Sequence, residues 1–499
     1  MAAGGEHAFD FLNRPRVFPT GGIDWRCASE DRLWRYNLHY FDYLLDMGRS
    51  FENASALIDD WIRQNPPGTI DAWEPFPVSL RVVNWIKFFL KPNVRGRVQP
   101  HWRESLCRQL SWLERNVERH LLANHYFKNG KALYFGGMYF EGPDAARWQE
   151  RGRKILSAEI EEQILPDGGH FERSPMYHAM ILSDVLDLMN LEMGFPGQNL
   201  PALAGRLRGK ARSMLSFLLA TSHPDGGIAL FNDAAFGIET APAELARYYE
   251  RLTGERIDSP NDPVLSFPQT GYFVMAPAPG DRLIIDCGPV GPDYQPGHSH
   301  CDTLSFELSL SGKRVVVDSG CAQYTDGRIR RYNRGNSGHN TVTVDRENQS
   351  EVWGAHRCAR SARPLRAVLS RNPDGSLHFE GAHDGYRRLP GSPSHTRSVE
   401  WSGKTISIDD RVDGRGTHAI ESRLHIHPDL SITVAAGKAL VRAGTSTIAS
   451  ISAVGAGRIV GAEGVYCPEF GKTVPCPLLV VIVPQASLPF WSGWRIDLP

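Results

Sequence analysis

The sequence has no dense cysteine framework, no long apolar run and almost no net charge, and each absence removes a class of protein. Its eight cysteines (Cys27, Cys107, Cys287, Cys301, Cys321, Cys358, Cys467 and Cys476) are scattered over 499 residues without a CxxC. That pattern argues against a disulfide scaffold and fits free thiols in a reducing compartment. No apolar stretch reaches the length of a membrane span. The N-terminal Met1-Ala2-Ala3-Gly4-Gly5-Glu6-His7 carries neither a basic nor an apolar leader region. The chain as written is therefore expected in the cytoplasm, or in the periplasm if its natural start has been trimmed. With 55 Lys and Arg against 56 Asp and Glu, the net charge is -1, which gives no bulk attraction for nucleic acid or an anionic membrane.

What is present reads as a large α-then-β protein. Apolar residues recur at helical spacing over Asp31–Asp46, Phe51–Gln64, Val78–Leu90, Arg103–Leu122, Lys131–Tyr139, Asp144–Ile164, Ser174–Met193 and Leu200–Thr221, with Pro or Gly at the joins. Such a run of antiparallel helices predicts a bundle or α/α toroid over residues 31–260, after an irregular arm at 1–30. Near residue 265 the composition changes to short alternating segments between turn residues, such as Gly271–Met275, Thr405–Ile408 and Ile432–Val434. This predicts an antiparallel β-sandwich over 265–499. The segment Asp258-Ser259-Pro260-Asn261-Asp262-Pro263 reads as the linker.

Three polar constellations stand out in the helical half. Trp73-Glu74-Pro75-Phe76-Pro77 leads into Ser79–Trp85, where Arg81 and Asn84 are three apart on one helical face. One reading is a groove that stacks sugars on Trp73 or Trp85 with Arg81 on an anionic group; the other is helix packing with polar tips. Asn124 and His125 lie at an apparent helix break and suit either a carboxylate and oxyanion site or a helix cap. In Asp167–His178, the glycines mark a tight loop and Ser174-Pro175 a helix start, so Tyr177 and His178 fall in the first turn. Tyr177 reads either as a proton-transfer residue or as a buried, hydrogen-bonded tyrosine.

The sandwich half carries Pro296-Gly297-His298-Ser299-His300-Cys301-Asp302 before the alternating run Leu304–Leu310. Extending the alternation backwards puts His298, His300 and Asp302 on the leucine side, which predicts partners for them. The following Arg314–Asp318 and His339–Val344 segments bring a carboxylate and another histidine to neighbouring strands. Two histidines and a carboxylate suit zinc; the alternative is a histidine pair held by backbone carbonyls.

Together these motifs resemble the heparinase II/III family of polysaccharide lyases and the related alginate lyases. The most specific part is Pro296-Gly297-His298-x-His300-x-Asp302-x-Leu304-Ser305-Phe306-Glu307, then Val317-Asp318-Ser319-Gly320, then His339-Asn340-Thr341-Val342. The resemblance implies an α/α toroid packed on a β-sandwich and β-elimination on an acidic, uronate-containing polysaccharide. A bacterial exopolysaccharide or O-antigen fits a chain without a leader. It implies that Asn124 and His125 neutralise the uronate carboxylate. Tyr177 is implied as acid, or as acid and base, with His298 as partner base. Tyr332 is a weaker second tyrosine with Tyr324 behind it, and Arg331 and Arg334 are implied to bind substrate charge. It also implies a structural zinc on His300, Asp318 and His339, with Asp302 as the fallback ligand. Two other functions compete. One is a glycoside hydrolase, for which Asp167 and Glu172 are weak acid–base candidates; the other is a non-catalytic glycan-binding or assembly protein. The oligomeric state is not legible in the sequence.

Overall fold

The computed structural model describes residues 6–19, 22–197 and 201–499. Residues 1–5, 20–21 and Leu200, which the sequence places in the arm and at a helix start, lie outside the described residues. Contacts divide the chain into two compact units: Met1–Gln163 with Asp184–Lys210, and Ile164–Ser183 with Ala211–Pro499.

The expected irregular arm is instead a hairpin, β1 (Glu6–Phe11) and β2 (Arg14–Pro19), paired antiparallel. Leu12 and Asn13 make its two-residue turn at φ 58 and 59°, the conformation such hairpins need. Aromatic contacts order it: Phe9 packs on Tyr43 and Phe11 on Trp34. Helices follow as α1 (Arg32–Tyr40), α2 (Phe51–Gln64), α3 (Pro75–Leu90), α4 (Pro100–Arg115), α5 (Ala123–Tyr139), α6 (Pro143–Gln163), α7 (Pro175–Gly194) and α8 (Pro201–Ala220). Asp31 caps α1 by accepting from the Trp34 amide at 3.0 Å. The first helix stops short of Asp46 because Phe41 turns left-handed, with φ 62°. The helices α5 and α6 meet backbone to backbone, since a Cβ on Gly152 would lie 2.5 Å from the Tyr134 nitrogen. The core of this unit is tryptophan-rich: Trp34, Trp61, Trp85, Trp102 and Trp148 are fully buried.

The division into units runs through α7 and α8. The first turns of α7 therefore belong with the strands, together with α9 (Pro242–Thr253). A five-stranded antiparallel sheet takes Val264–Phe267, Tyr272–Met275, Arg282–Asp286, Phe306–Leu310 and Lys313–Val316 in chain order. A four-stranded sheet orders Arg458–Tyr466, Val474–Ser487, Thr417–His425 and Val342–Val344. The two continue into one layer through the Val316–Ile426 bridge and the bond from the Val317 amide to the His425 carbonyl at 3.0 Å. An eight-stranded sheet, from Pro364–Arg371 to Ser431–Ala435, forms the other layer. Phe306, Leu308, Val399, Ile408, Leu424, Val481 and Trp494 share the core between the layers. The opposite face of the five-stranded sheet is also covered, with Tyr272, Val274 and Ile284 packed on Phe217 and Phe231.

That double coverage corrects the alternation read from sequence. Every residue of Phe306–Leu310 is buried. Glu307, on the face expected to be polar, accepts from the Leu230 and Asp318 amides and pairs with His223 at 2.6 Å. The strand also begins later than expected. Leu304 turns left-handed at φ 68°, so His298, His300 and Asp302 sit on an irregular segment where strand parity does not apply.

Candidate active site and cation centre

Ser174 starts α7 and accepts from the Tyr177 amide at 3.3 Å, while its hydroxyl donates to the Asp233 carbonyl at 2.7 Å. This fixes Tyr177 over the loop Leu230-Phe231-Asn232-Asp233. The Tyr177 hydroxyl lies 2.9 Å from that of Tyr324, and its ring packs on His298 with centroids 4.0 Å apart and planes tilted by 30°. His356, on the hairpin turn between Val352–Trp353 and Arg357–Cys358, closes the group. It packs on Tyr324 and His298 at 5.2 and 6.0 Å, with Nδ1 3.2 Å from the Gly297 carbonyl.

Burial raises the Tyr177 phenol well above its usual range. The bond to Tyr324 offsets this in part, and the Asp233 and Glu172 carboxylates add to it. Tyr177 is thus a neutral proton carrier at rest. Burial, reinforced by His298, pushes His356 down to about 4, so it is a neutral imidazole.

Beneath this group lies Asp233. Its Oδ2 is 3.0 Å from His298 Nδ1 and its Oδ1 2.8 Å from His300 Nε2. Arg330 binds both oxygens as a fork, with Nη2 to Oδ2 at 2.9 Å and Nη1 to Oδ1. The same guanidinium holds the Ala355 carbonyl at 2.7 Å and lies under the Tyr324 ring. The Asn232 side chain accepts from the His300 amide at 3.0 Å, and the Asn232 amide donates to Asp302 at 2.8 Å. Sequence reasoning passed over Asp233, Arg330 and His356. The available signals were a polar Asn-Asp pair inside the apolar run Ile228–Phe236, and the i,i+4 pairing of Arg330 with Arg334 on the buried face of the short helix α10 (Arg328–Arg334).

Behind the tyrosines, ligand atoms of His300, Asp302 and His339 all lie within 4.8 Å of one another. His300 Nδ1 and His339 Nε2 are buried and make no hydrogen bond of ordinary geometry. Asp318, the expected third ligand, instead takes the other nitrogen of His339, Nδ1, at 2.8 Å. Asp302 occupies the place assigned to it. His339 precedes its strand, following a turn at Asn336–Gly338, so its mismatch with the strand alternation has a simple cause. Burial raises Asp302 to about 6 and raises Asp318 as well, with His339 opposing both shifts.

Several expected substrate contacts are corrected. Arg81 is fully buried and donates to Gln109 Oε1, the His39 carbonyl and the Ala72 carbonyl at 2.8, 3.1 and 2.8 Å. Trp85 is also fully buried, and Trp73, buried too, donates to the Asn65 carbonyl at 2.9 Å. Asn84 holds the Tyr40 carbonyl at 2.9 Å. Arg81, Trp73 and Trp85 serve packing because they are buried inside the helical unit, while Asn84 is half-buried against Tyr40. Arg334 is buried and donates to carbonyls of Ser299, Gly354 and Arg357, while Arg331 is exposed and paired with Asp326 at 3.1 Å. Tyr332 bonds to His425 at 2.9 Å and accepts from the Val465 amide. Tyr324, not Tyr332, is the second tyrosine beside Tyr177. Asp167 accepts from the Thr270 amide and hydroxyl at 2.8 and 2.7 Å, which fixes it as a loop brace.

Asn124 and His125 belong to the helical unit. The chain break falls just before them, with Leu122 and Ala123 at φ 58 and 52°, and both lie in the first turn of α5. His125 Nδ1 is 3.1 Å from Glu118, and its ring packs on Phe76.

The chain thus joins a helical unit to a two-layer sandwich unit, and the latter carries the Tyr-Tyr-His group on its Asp-Arg brace. Heparinase II/III N-terminus matches residues 2–252 and Heparinase II/III-like, C-terminal, matches residues 259–489. The chain belongs to the heparinase II/III family. A crystal structure of heparinase III superposes with a TM-score of 0.76 at 18% identity, covering 97% of this chain and 80% of that one. The heparan sulfate lyase of Pedobacter heparinus gives 0.64 at 19%, covering 98% and 81%. These likenesses establish the α/α toroid and β-sandwich fold. Among curated relatives, a heparin-sulfate lyase of Bacteroides stercoris is 23% identical over 70% of this chain and 60% of its own length. That of Pedobacter heparinus is 25% identical over 58% and 47%. This chain thus spans about half to three-fifths of those lyases. FtsZ-localized protein C of Caulobacter vibrioides is 25% identical over 86% of this chain and 75% of its own length.

Proposed function

We propose that this chain is a polysaccharide lyase that cleaves a uronate-containing acidic polysaccharide by β-elimination. The observation that carries it is the neutral Tyr177 phenol, bonded to Tyr324 and packed on an imidazole braced by Asp233. In the reaction a base removes the C5 proton, its electron pair forms the C4–C5 double bond, and the C4–oxygen bond breaks. An acid then protonates the departing oxygen. A phenol held neutral by burial suits the acid. His298, whose Nδ1 faces the Asp233 carboxylate, offers Nε2 as the base, with the Glu172 carboxylate 3.5 Å from that nitrogen. The Asp167–Glu172 hydrolase pair has lost its first member to Thr270.

A structural zinc fits the residues present. Two imidazole nitrogens without a hydrogen bond of ordinary geometry and a carboxylate within 4.8 Å form a zinc donor set, and burial raises Asp302 and Asp318 by penalising their charged forms, a cost that a cation would offset. His300, Asp302 and His339 would hold it, with Asp318 orienting His339. Bound there, zinc supplies a fixed charge that ties the irregular segment to the strands.

The test is ultraviolet absorbance during incubation with alginate, glycosaminoglycans including heparan sulfate, and bacterial exopolysaccharides or O-antigens, with zinc content assayed alongside. A rise reports the unsaturated uronate. New reducing ends without a rise would indicate hydrolysis. Zinc content unchanged by His300→Ala would remove the zinc assignment. A second reading, a non-catalytic assembly protein, draws on the FtsZ-localized relative, which spans more of this chain than the lyases do. Binding of a glycan from the panel without either product would favour it.

A further inference from the structure

The carboxylate of Asp233 is fully buried and reached from three sides, by His298, His300 and Arg330. An ionised carboxylate only accepts hydrogen bonds, and the Arg330 guanidinium grips both oxygens of Asp233 as a fork, the geometry of an ionised pair. Each imidazole nitrogen facing it must therefore carry a proton. The two histidines present different nitrogens: Nδ1 for His298 and Nε2 for His300. We propose that Asp233 is a positioning residue that fixes opposite tautomers in two histidines two residues apart. It leaves His298 Nε2, 3.5 Å from the Glu172 carboxylate, as the nitrogen for proton transfer and His300 Nδ1 as the lone pair facing Asp302 and His339.

The orphaned atom agrees with this assignment, since His300 Nδ1 is buried without a hydrogen bond while its Nε2 is satisfied. The register that presents alternate nitrogens is set by backbone. The Asp233 amide donates to the His298 carbonyl at 3.0 Å, and the His300 amide donates to Asn232 Oδ1 at 3.0 Å. Arg330 adds a mechanical link. It holds Asp233 and the Ala355 carbonyl together, so the hairpin bearing His356 is tied to the same carboxylate. One side chain thus orients the base of the proposed elimination and a member of the proposed cation site. The catalytic half of this inference rests on the lyase reading; the tautomer assignment does not.

The experiment is nitrogen-15 NMR of histidine-labelled, metal-free wild-type protein, with His298 and His300 signals assigned by single His→Gln variants. The expected pattern is a protonated Nδ1 on His298 and a protonated Nε2 with a bare Nδ1 on His300. The same protonated nitrogen on both rings, or a protonated Nδ1 on His300, would overturn the proposal without any variant having to fold. Asp233→Asn is the second arm. An amide offers one acceptor oxygen and one donor group, so it cannot accept from both rings, and one tautomer should invert. Zinc affinity should fall about 10- to 100-fold, the range for losing an orienting partner, and kcat should fall with KM little changed. Unchanged tautomers and zinc affinity in a folded Asp233→Asn protein would overturn it. The expected tautomers in a protein that produces no unsaturated uronate would support the assignment and sink the lyase reading alone.

Discussion

Arg81 in the helical unit and the Asp233 cluster in the sandwich unit are both charged groups buried to the same degree, and they have opposite meanings. Arg81 is closed. Its donors meet Gln109, His39 and Ala72, and its plane covers the Trp61 ring at 4.0 Å. The cluster around Asp233 is open at its edges: His300 Nδ1 and His339 Nε2 are buried without hydrogen bonds of ordinary geometry, and the Tyr177 and Tyr324 hydroxyls bond to each other. Burial by itself therefore says little about function. Completed hydrogen bonding marks a scaffold, while lone pairs left over in a buried, charge-rich place mark a ligand site.

The comparison breaks most visibly at Tyr177. Tyr177→Phe should lower turnover by roughly 10²–10⁴-fold, the range for losing a general acid, with little change in thermal midpoint. The uronate absorbance assay reads the rate and calorimetry the fold. A near-normal rate would move Tyr177 to the scaffold side. Arg81→Met should do the reverse. It strands three buried acceptors, at about 1–3 kcal/mol each, so the unfolding free energy of the helical unit should drop by at least ~3 kcal/mol. Turnover per folded molecule should hold. A raised KM at unchanged stability would restore Arg81 to the substrate.

The smallest effect sharpens the comparison from the side of the closed groups. Burial lowers His39 and His425 to about 3. Their folded pKa values lie below the ordinary 6.5, so below that pH the unfolded chain binds protons that the folded chain refuses. Stability is full above pH 6.5 and declines as pH falls towards 4, by about 1.4 kcal/mol per unit for each such histidine. Urea midpoints between pH 7.5 and 5 measure this. A flat profile would show that these imidazoles are not closed in the folded chain.

The sequence was legible where a local pattern has a local cause. The helices and the change to strands follow from periodicity, and Tyr177 falls in the first turn of α7 because Ser174-Pro175 starts a helix. The motif at His298 to Asp302 was visible as a set of polar groups. Its geometry was not, because strand parity fails across the left-handed Leu304. Trp73, Trp85, Arg81 and Asn84 have the composition of a sugar groove. Which face of α3 (Pro75–Leu90) turns inward depends on neighbours that are distant in the chain, and the inner face is the one that carries Arg81 and Trp85.

What the sequence by itself determined is the order of helices and strands, the family, and the small group of residues in which proton-transfer and metal-binding side chains concentrate. Only the tertiary structure decided that Tyr324 rather than Tyr332 meets Tyr177, that Asp302 joins His300 and His339 while Asp318 stands behind, and that Asp233 and Arg330 brace the whole group. The reason is separation along the chain. Tyr177 and Tyr324 are 147 residues apart and Arg330 and Asp233 are 97 apart, so their meeting is fixed by how the sheets and loops pack, which no local pattern of side chains encodes.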